Sequence, residues 1–162
     1  MIRPKRTVHR RASLKGQSLV EMALILPVLL AVAGGATDLS RAYAAWTSLE
    51  SATRNAAEYV ATNSPDAATA ITDAKRVVCA ETQGLPGYVT GSPYCTSPSV
   101  TVTWSSCDNS GGTCPGGTVQ NPIRTARVVT SLQFQTLVPW PLIPRTGFNL
   151  SADRRYSIAF GR

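Results

Sequence analysis

Two residues set the chemistry available at the N-terminal end of this chain. Glu21 is a carboxylate a few positions into the apolar run LKGQSLVEMALILPVLLAVAGG, residues 14–35, and Gly16 stands just ahead of the run. At the centre of a membrane helix a lone carboxylate costs about 2.5–3.5 kcal/mol on insertion scales. Nearer the interface the cost is lower, and an ammonium group at the same depth offsets much of it. Glu21 therefore calls for a cationic partner. Cys79, Cys95, Cys107 and Cys114 form the second reactive set, in a segment rich in Gly, Pro, Ser and Thr. An even number of cysteines in an exported context reads as two disulfides. Three pairings are possible. Cys79–Cys95 with Cys107–Cys114 is favoured because each bridge closes a local loop, and a loop of about 15 residues contributes ~3 kcal/mol in the chain-entropy model. Zinc is disfavoured, since there is no CxxC pair and the one histidine, His9, lies in a basic arm. Beyond that arm the lack of histidine removes His-based general bases and triads. Neither a P-loop nor a dinucleotide fingerprint occurs. Asp66, Asp73, Asp108 and Asp153 are scattered and read as cap, surface or turn residues. No catalytic residue, metal site or cofactor is expected, and the chain does not read as an enzyme.

The elements that must position Gly16 and Glu21 follow from charge and hydropathy. The net charge is +7 and the pI near 9.7, which by itself suggests nucleic acid or anionic lipid. The distribution argues otherwise. Arg3, Lys5, Arg6, Arg10, Arg11 and Lys15 all precede Gly16, leaving ten of the sixteen Lys and Arg against nine Asp and Glu in the remainder. A basic block beside an apolar span is a topological signal that holds that flank in the cytoplasm, so no nucleic-acid partner is expected. From Gln17 to Ala36 the apolar run is long enough, as helix, to cross a hydrocarbon core of about 30 Å. Pro27 lies inside it, which membrane helices tolerate. Three organisations fit a basic start and an apolar run. A secretory signal peptide would be cut near Ala31-Val32-Ala33, yet has no use for Glu21. An uncleaved single-pass anchor tolerates Glu21 without explaining it.

The third uses every odd feature. Lys15-Gly16 followed by Gln17-Ser18-Leu19-Val20-Glu21 and an apolar stretch resembles the type IV prepilin motif. The resemblance implies cleavage by an inner-membrane aspartyl peptidase between Gly16 and Gln17. Gln17 would become the new N-terminus and Glu21 its fifth residue. The new α-amine of a neighbouring subunit could then pair with Glu21. Gln17 departs from the Phe or Met that many type IV pilins carry, which bears on methylation of the new terminus.

Downstream, Leu39, Ala42, Tyr43, Trp46, Leu49, Thr53, Ala56, Ala57 and Val60 recur at helical spacing. One helix is expected from about Gln17 to Thr62, broken at Asn63-Ser64-Pro65. Tyr43 and Trp46 fit either interfacial anchoring or packing against a sheet. Ser64-Pro65-Asp66 reads as a helix start, with Ser64 as the cap. The second helix runs to about Ala80 with Ala67, Ala70, Ile71, Ala74, Val77 and Val78 inward. Residues 81–98 read as loop and 105–122 as a Gly-rich loop. Strands are expected at Ser99–Trp104, Arg124–Leu137 and Phe148–Phe160. In the last, Arg154 shares parity with Phe148, Leu150, Ile158 and Phe160, which suggests a bulge near Asp153. The fold class is α+β: a long N-terminal transmembrane helix continuing into a small pilin-like domain with a second helix and an antiparallel sheet, stapled by disulfides. The organisation is a basic cytoplasmic leader (1–16), a transmembrane helix (17–36) and an extracytoplasmic α+β domain (37–162).

Residues 16–61, GQSLVEMALILPVLLAVAGGATDLSRAYAAWTSLESATRNAAEYVA, resemble the TadE-like family of pseudopilins. The pattern is a glutamate and Leu-Pro start, a turn near DLSRAY and an Ala-rich NAA…YVA helix. The tail, ARVVTSLQFQTLVPWPLIP…FNLSADRRYSI, is similar to the family's strand, proline turn and closing strand. The resemblance implies a minor component of a tight-adherence (Tad, Flp or type IVc) pilus in the bacterial inner membrane. Its N-terminus would be cytoplasmic and its domain extracytoplasmic. The implied partners are the prepilin peptidase, other pilin and pseudopilin subunits, the inner-membrane assembly platform and membrane lipid. The rival function is a membrane-anchored or secreted adhesin, with Trp104, Trp140 and the Gly-rich loop as contact elements.

Overall fold

The computed structural model describes residues 16–106, 123–137 and 147–159. The basic arm, Cys107, Cys114, the Gly-rich loop from residue 107, Trp140 and Phe160 lie outside the described residues, and with them the second expected disulfide. The chain divides into two compact units, residues 1–37 and 38–162. Seven elements follow in order: α1 (Gln17–Asn63), α2 (Ala67–Glu81), β1 (Val89–Thr90), β2 (Cys95–Ser97), β3 (Ser99–Ser106), β4 (Ile123–Phe134) and β5 (Phe148–Ala159).

α1 is unbroken over 47 residues, with Pro27 inside it. It runs through Gly34-Gly35 and through DLSRAY, so the turn implied there by the family pattern is absent. Each glycine costs a helix about 1 kcal/mol relative to alanine. In an apolar setting any alternative leaves backbone groups without partners, which costs more. In the first unit every residue from Gln17 to Ala33 is exposed, including Leu19, Ile25, Leu29 and Val32.

In the second unit α1 buries Asp38, Ala42, Ala45, Leu49, Ala52, Thr53, Ala56, Ala57, Val60 and Ala61. Ala42, Leu49, Thr53, Ala56, Ala57 and Val60 are buried as their spacing suggests, but the rest of the expected set is not. Leu39 and Tyr43 are well exposed and Trp46 is only partly covered. The inward strip is built mainly from alanine, which lets the helix lie close to the sheet and leaves the bulky residues outside.

α2 starts later than expected. Its cap is Asp66, in extended backbone, whose carboxylate accepts from the Thr69 amide at 2.8 Å. That hydrogen bond holds the Asp66 carboxyl below its ordinary pKa. Ser64 has another role: it is buried and its hydroxyl donates to Asp73 at 2.8 Å. Ala70, Ala74, Val78 and Cys79 face inward, whereas Ala67 and Ile71 are exposed. The stretch expected as loop holds the β1–β2 hairpin, and the Cys79–Cys95 disulfide ties it to α2 with Cα atoms 5.7 Å apart.

β3, β4 and β5 form an antiparallel sheet with β4 in the centre. β4 ends at Phe134, three residues short of expectation. Twelve consecutive pairs run from Ile123↔Ala159 to Phe134↔Phe148 without a break, so the expected bulge near Asp153 is absent. Arg154 keeps its inward parity because Glu50 of α1 is there to pair with it. Gly147 makes the tight entry to β5 possible. Its φ is +75° and a Cβ would fall on the Phe134 carbonyl.

The core lies between the helices and one sheet face. Ala56, Ala57, Val60 and Ala61 of α1 meet Ala70, Ala74 and Val78 of α2 and Ala126 and Val128 of β4. Val100, Val102, Trp104 and Ile158 pack against this group. Leu49 meets Leu132 and Ala152, and Phe134 closes the end against Ala42 and Ala45.

Candidate functional site

Gly16 directly precedes α1, Gln17 is the first residue of the helix and Glu21 lies one turn in. All three are exposed. Among the described residues Glu21 makes no hydrogen bond or ion pair. Among the described residues the carboxylate is thus presented on an apolar surface.

Gly16 is informative for what it lacks. A Cβ built there meets no atom of the described residues within 4 Å, and its φ is not positive. Gly87 contrasts with it: φ is +95° and a Cβ would fall on the Gln133 carbonyl. Backbone geometry therefore demands a glycine at 87 and at 147, whereas neither geometry nor packing demands one at 16.

Where α1 enters the second unit, Asp38 is 6% exposed and accepts from the Leu137 amide at 2.9 Å, just past the end of β4. Arg41 approaches the same carboxylate at 3.4 Å while its guanidinium lies 5.6 Å from the centre of the Phe134 ring. Deeper, Thr53 donates to the Leu49 carbonyl at 2.6 Å and stands 2.6 Å from the Thr130 hydroxyl. Each hydroxyl has one proton, so Thr130 donates to Thr53. These contacts were missed from sequence. A signal existed: Asp38, Ala42, Ala45, Leu49 and Ala52 follow one another at helical spacing, but small residues do not announce a core.

Among the described residues a shallow depression of about 520 Å³ includes Glu50, Arg54, Arg154 and Tyr156 in its wall. On the opposite sheet face Arg127 and Asp153 form a two-pronged ion pair, with hydrogen bonds of 3.0 and 2.5 Å. That hydrogen bonding draws the Asp153 carboxyl below its ordinary pKa and raises Arg127. Among the described residues no cluster of three or more His, Cys, Asp or Glu is placed to hold a metal.

α1 is long and apolar enough to cross a membrane, and its apolar window is wholly unburied. Residues 16–58 match the family model for TadE-like protein. The TadE-like match bears out the resemblance read from the sequence over that segment, and it begins at Gly16. It takes in Gln17, Glu21, the apolar run and most of the alanine strip. No curated protein and no solved structure matches the chain.

Proposed function

We propose that this protein is a minor pseudopilin of a Tad/Flp-type (type IVc) pilus, with a role in assembly and adhesion and without enzymatic activity. A prepilin peptidase cuts after Gly16 on the cytoplasmic side. Gln17 becomes the N-terminus, and its α-amine pairs with Glu21 of a neighbouring subunit as helices bundle. The chain resides in the inner membrane, with its second unit outside the cytoplasm. Its partners are the peptidase, other pilin and pseudopilin subunits, the assembly platform and lipid.

One observation carries this reading: the TadE-like match opens at a glycine for which the fold has no use. A protease that must draw the chain into an extended groove explains that residue type, because a side chain there would obstruct the cut. Glu21, exposed and without a partner among the described residues, supports an intermolecular pairing.

The deciding experiment is N-terminal sequencing of protein extracted from membranes. A start at Gln17 is expected. A start at Met1 would leave an uncleaved anchor, and a start at Gly34 a secreted protein; either result removes the pilus reading.

A further inference from the structure

β5 is an outer strand of its sheet. It pairs with β4 from end to end, and among the described residues no strand lies along its other side. In an antiparallel ladder every second residue turns its N–H and C=O away from the partner strand, so roughly six residues of β5 present backbone donors and acceptors outward. Natural edges are commonly short, bulged, interrupted by proline or studded with lysine. β5 is long and unbulged, and has neither proline nor lysine. Its charges are Asp153, Arg154 and Arg155.

The flank of α1 follows this edge. Ala42, Leu49 and Ala57 of α1 meet Phe134, Leu132 and Val128 of β4 in turn. The helix thus runs against the direction of β4 and along that of β5. Thr47, Glu50 and Arg54, spaced by three and four residues, share one side of α1. With Arg154, Arg155 and Tyr156 of β5 they line the depression of about 520 Å³. It is a trench with the helix on one side and the strand edge on the other.

The trench is basic. Three arginines and one glutamate stand in its wall. Glu50 is taken by Arg154, and the neighbouring Asp153 by Arg127. Arg54 and Arg155 are exposed, and among the described residues neither makes a hydrogen bond or ion pair. Arg155 adds only an unbonded attraction to Asp153.

We propose that the edge of β5 and the flank of α1 dock an acidic, extended segment of another protein, which adds to β5 as a strand and sets carboxylates on Arg54 and Arg155. The open backbone calls for a strand, since main-chain hydrogen bonds give such additions their affinity and side-chain contacts their specificity. The surplus of cation calls for acid. A second copy of this chain is the poorer occupant. A two-fold pairing of β5 with β5 centred near Asp153 and Arg154 brings the arginines of both copies together, and like charges opposite one another destabilise a strand pair.

The test concerns the second unit and does not rest on the pilus reading. Full-length protein in detergent micelles is titrated into a labelled short peptide of alternating threonine and valine with two adjacent glutamates at its centre, read by fluorescence anisotropy. A twin peptide carries glutamine at both places. At low salt the glutamate peptide should bind about fivefold more tightly, the scale of two exposed ion pairs, and added salt should shrink the difference. Arg54→Gln with Arg155→Gln should remove the preference while urea unfolding stays unchanged. Backbone N-methylation of alternate residues then tests strand addition. Methyl groups on one alternate set should abolish binding and on the other leave it intact, because only one side of an added strand meets β5. Equal affinity for the two peptides overturns the proposal. Equal behaviour of the two methylated sets also overturns it, since charge alone then attracts the peptide. So does the absence of binding by either peptide, the result if the arginines serve only to keep copies of this chain apart.

Discussion

The two halves of α1 use side-chain size in opposite ways. From Gln17 to Ala33 the helix exposes Leu, Val, Ile and Met on every side. From Asp38 onward it buries alanine and leaves Tyr43 and Trp46 outside. In water the first arrangement would be untenable and the second merely unusual. The first half fits a membrane anchor, where large apolar residues face lipid. The second packs against a sheet, and its small residues permit close approach. Burial cannot be read from hydrophobicity alone; it depends on what the helix faces.

The comparison breaks most sharply at Gly16. Gly16→Val should abolish maturation, seen as full-length precursor on an immunoblot, while denaturant unfolding of the second unit stays unchanged. A variant that matures normally would remove Gly16 from any processing role. Glu21→Ala should still be cut but should give few pili by electron microscopy, again with unchanged unfolding. Substitutions in the second unit should do the reverse. Phe134 is fully buried and stacks on Phe148 with ring centroids 5.2 Å apart. Phe134→Ala should cost about 3–5 kcal/mol in urea unfolding, with cleavage after residue 16 intact.

Smaller effects sharpen the same contrast. Asp38→Ala removes the acceptor of the Leu137 amide and should cost about 1 kcal/mol. Thr53→Val leaves Thr130 without its acceptor and should cost a similar amount, whereas Thr53→Val with Thr130→Val should lie closer to wild type. A double-mutant cycle by chemical denaturation reads that coupling directly.

The smallest effect is on pH. Asp66 and Asp153 both have folded pKa values below the unfolded carboxylate range near 4. Their contribution is present above that range and is lost as pH falls through the lowered folded values. Unfolding midpoints measured from pH 6 downward should decline over that window, and less steeply in Asp66→Asn and Asp153→Asn.

The long strands were legible because Val100, Val102 and Trp104, and Val128, Leu132 and Phe134, alternate cleanly. α1 was legible as an element because no breaker stands between Gln17 and Asn63 strong enough to end it. Its inward face was legible from Leu49 to Val60 but not nearer the N-terminus, since Tyr43 and Trp46 offer far more apolar area to bury than Ala42 and Ala45. The β1–β2 hairpin escaped because two and three residues carry no period. Ser64 and Asp66 are both good caps, and sequence could not rank them; Ser64 donates to Asp73 instead, and Asp66 accepts from the Thr69 amide. Arg154 looked like a defect in β5 because its partner Glu50 lies on α1, far away in the chain. At the candidate site, Gly16, Gln17 and Glu21 were visible as a motif. Only the structure showed that Gly16 has no steric duty.

The Thr53–Thr130 pair joins residues 77 positions apart. Synthesis must therefore pass β4 before the strip of α1 has a sheet to lie against, although Ala56, Ala57, Val60 and Ala61 can meet α2 earlier. A nascent chain that stops before β4 carries a half-covered helix face and an apolar first unit. Folding of the second unit is in this sense an event of the last third of translation, and a ribosome stalled before residue 130 would hold a chain that is anchored but not yet assembled into a domain.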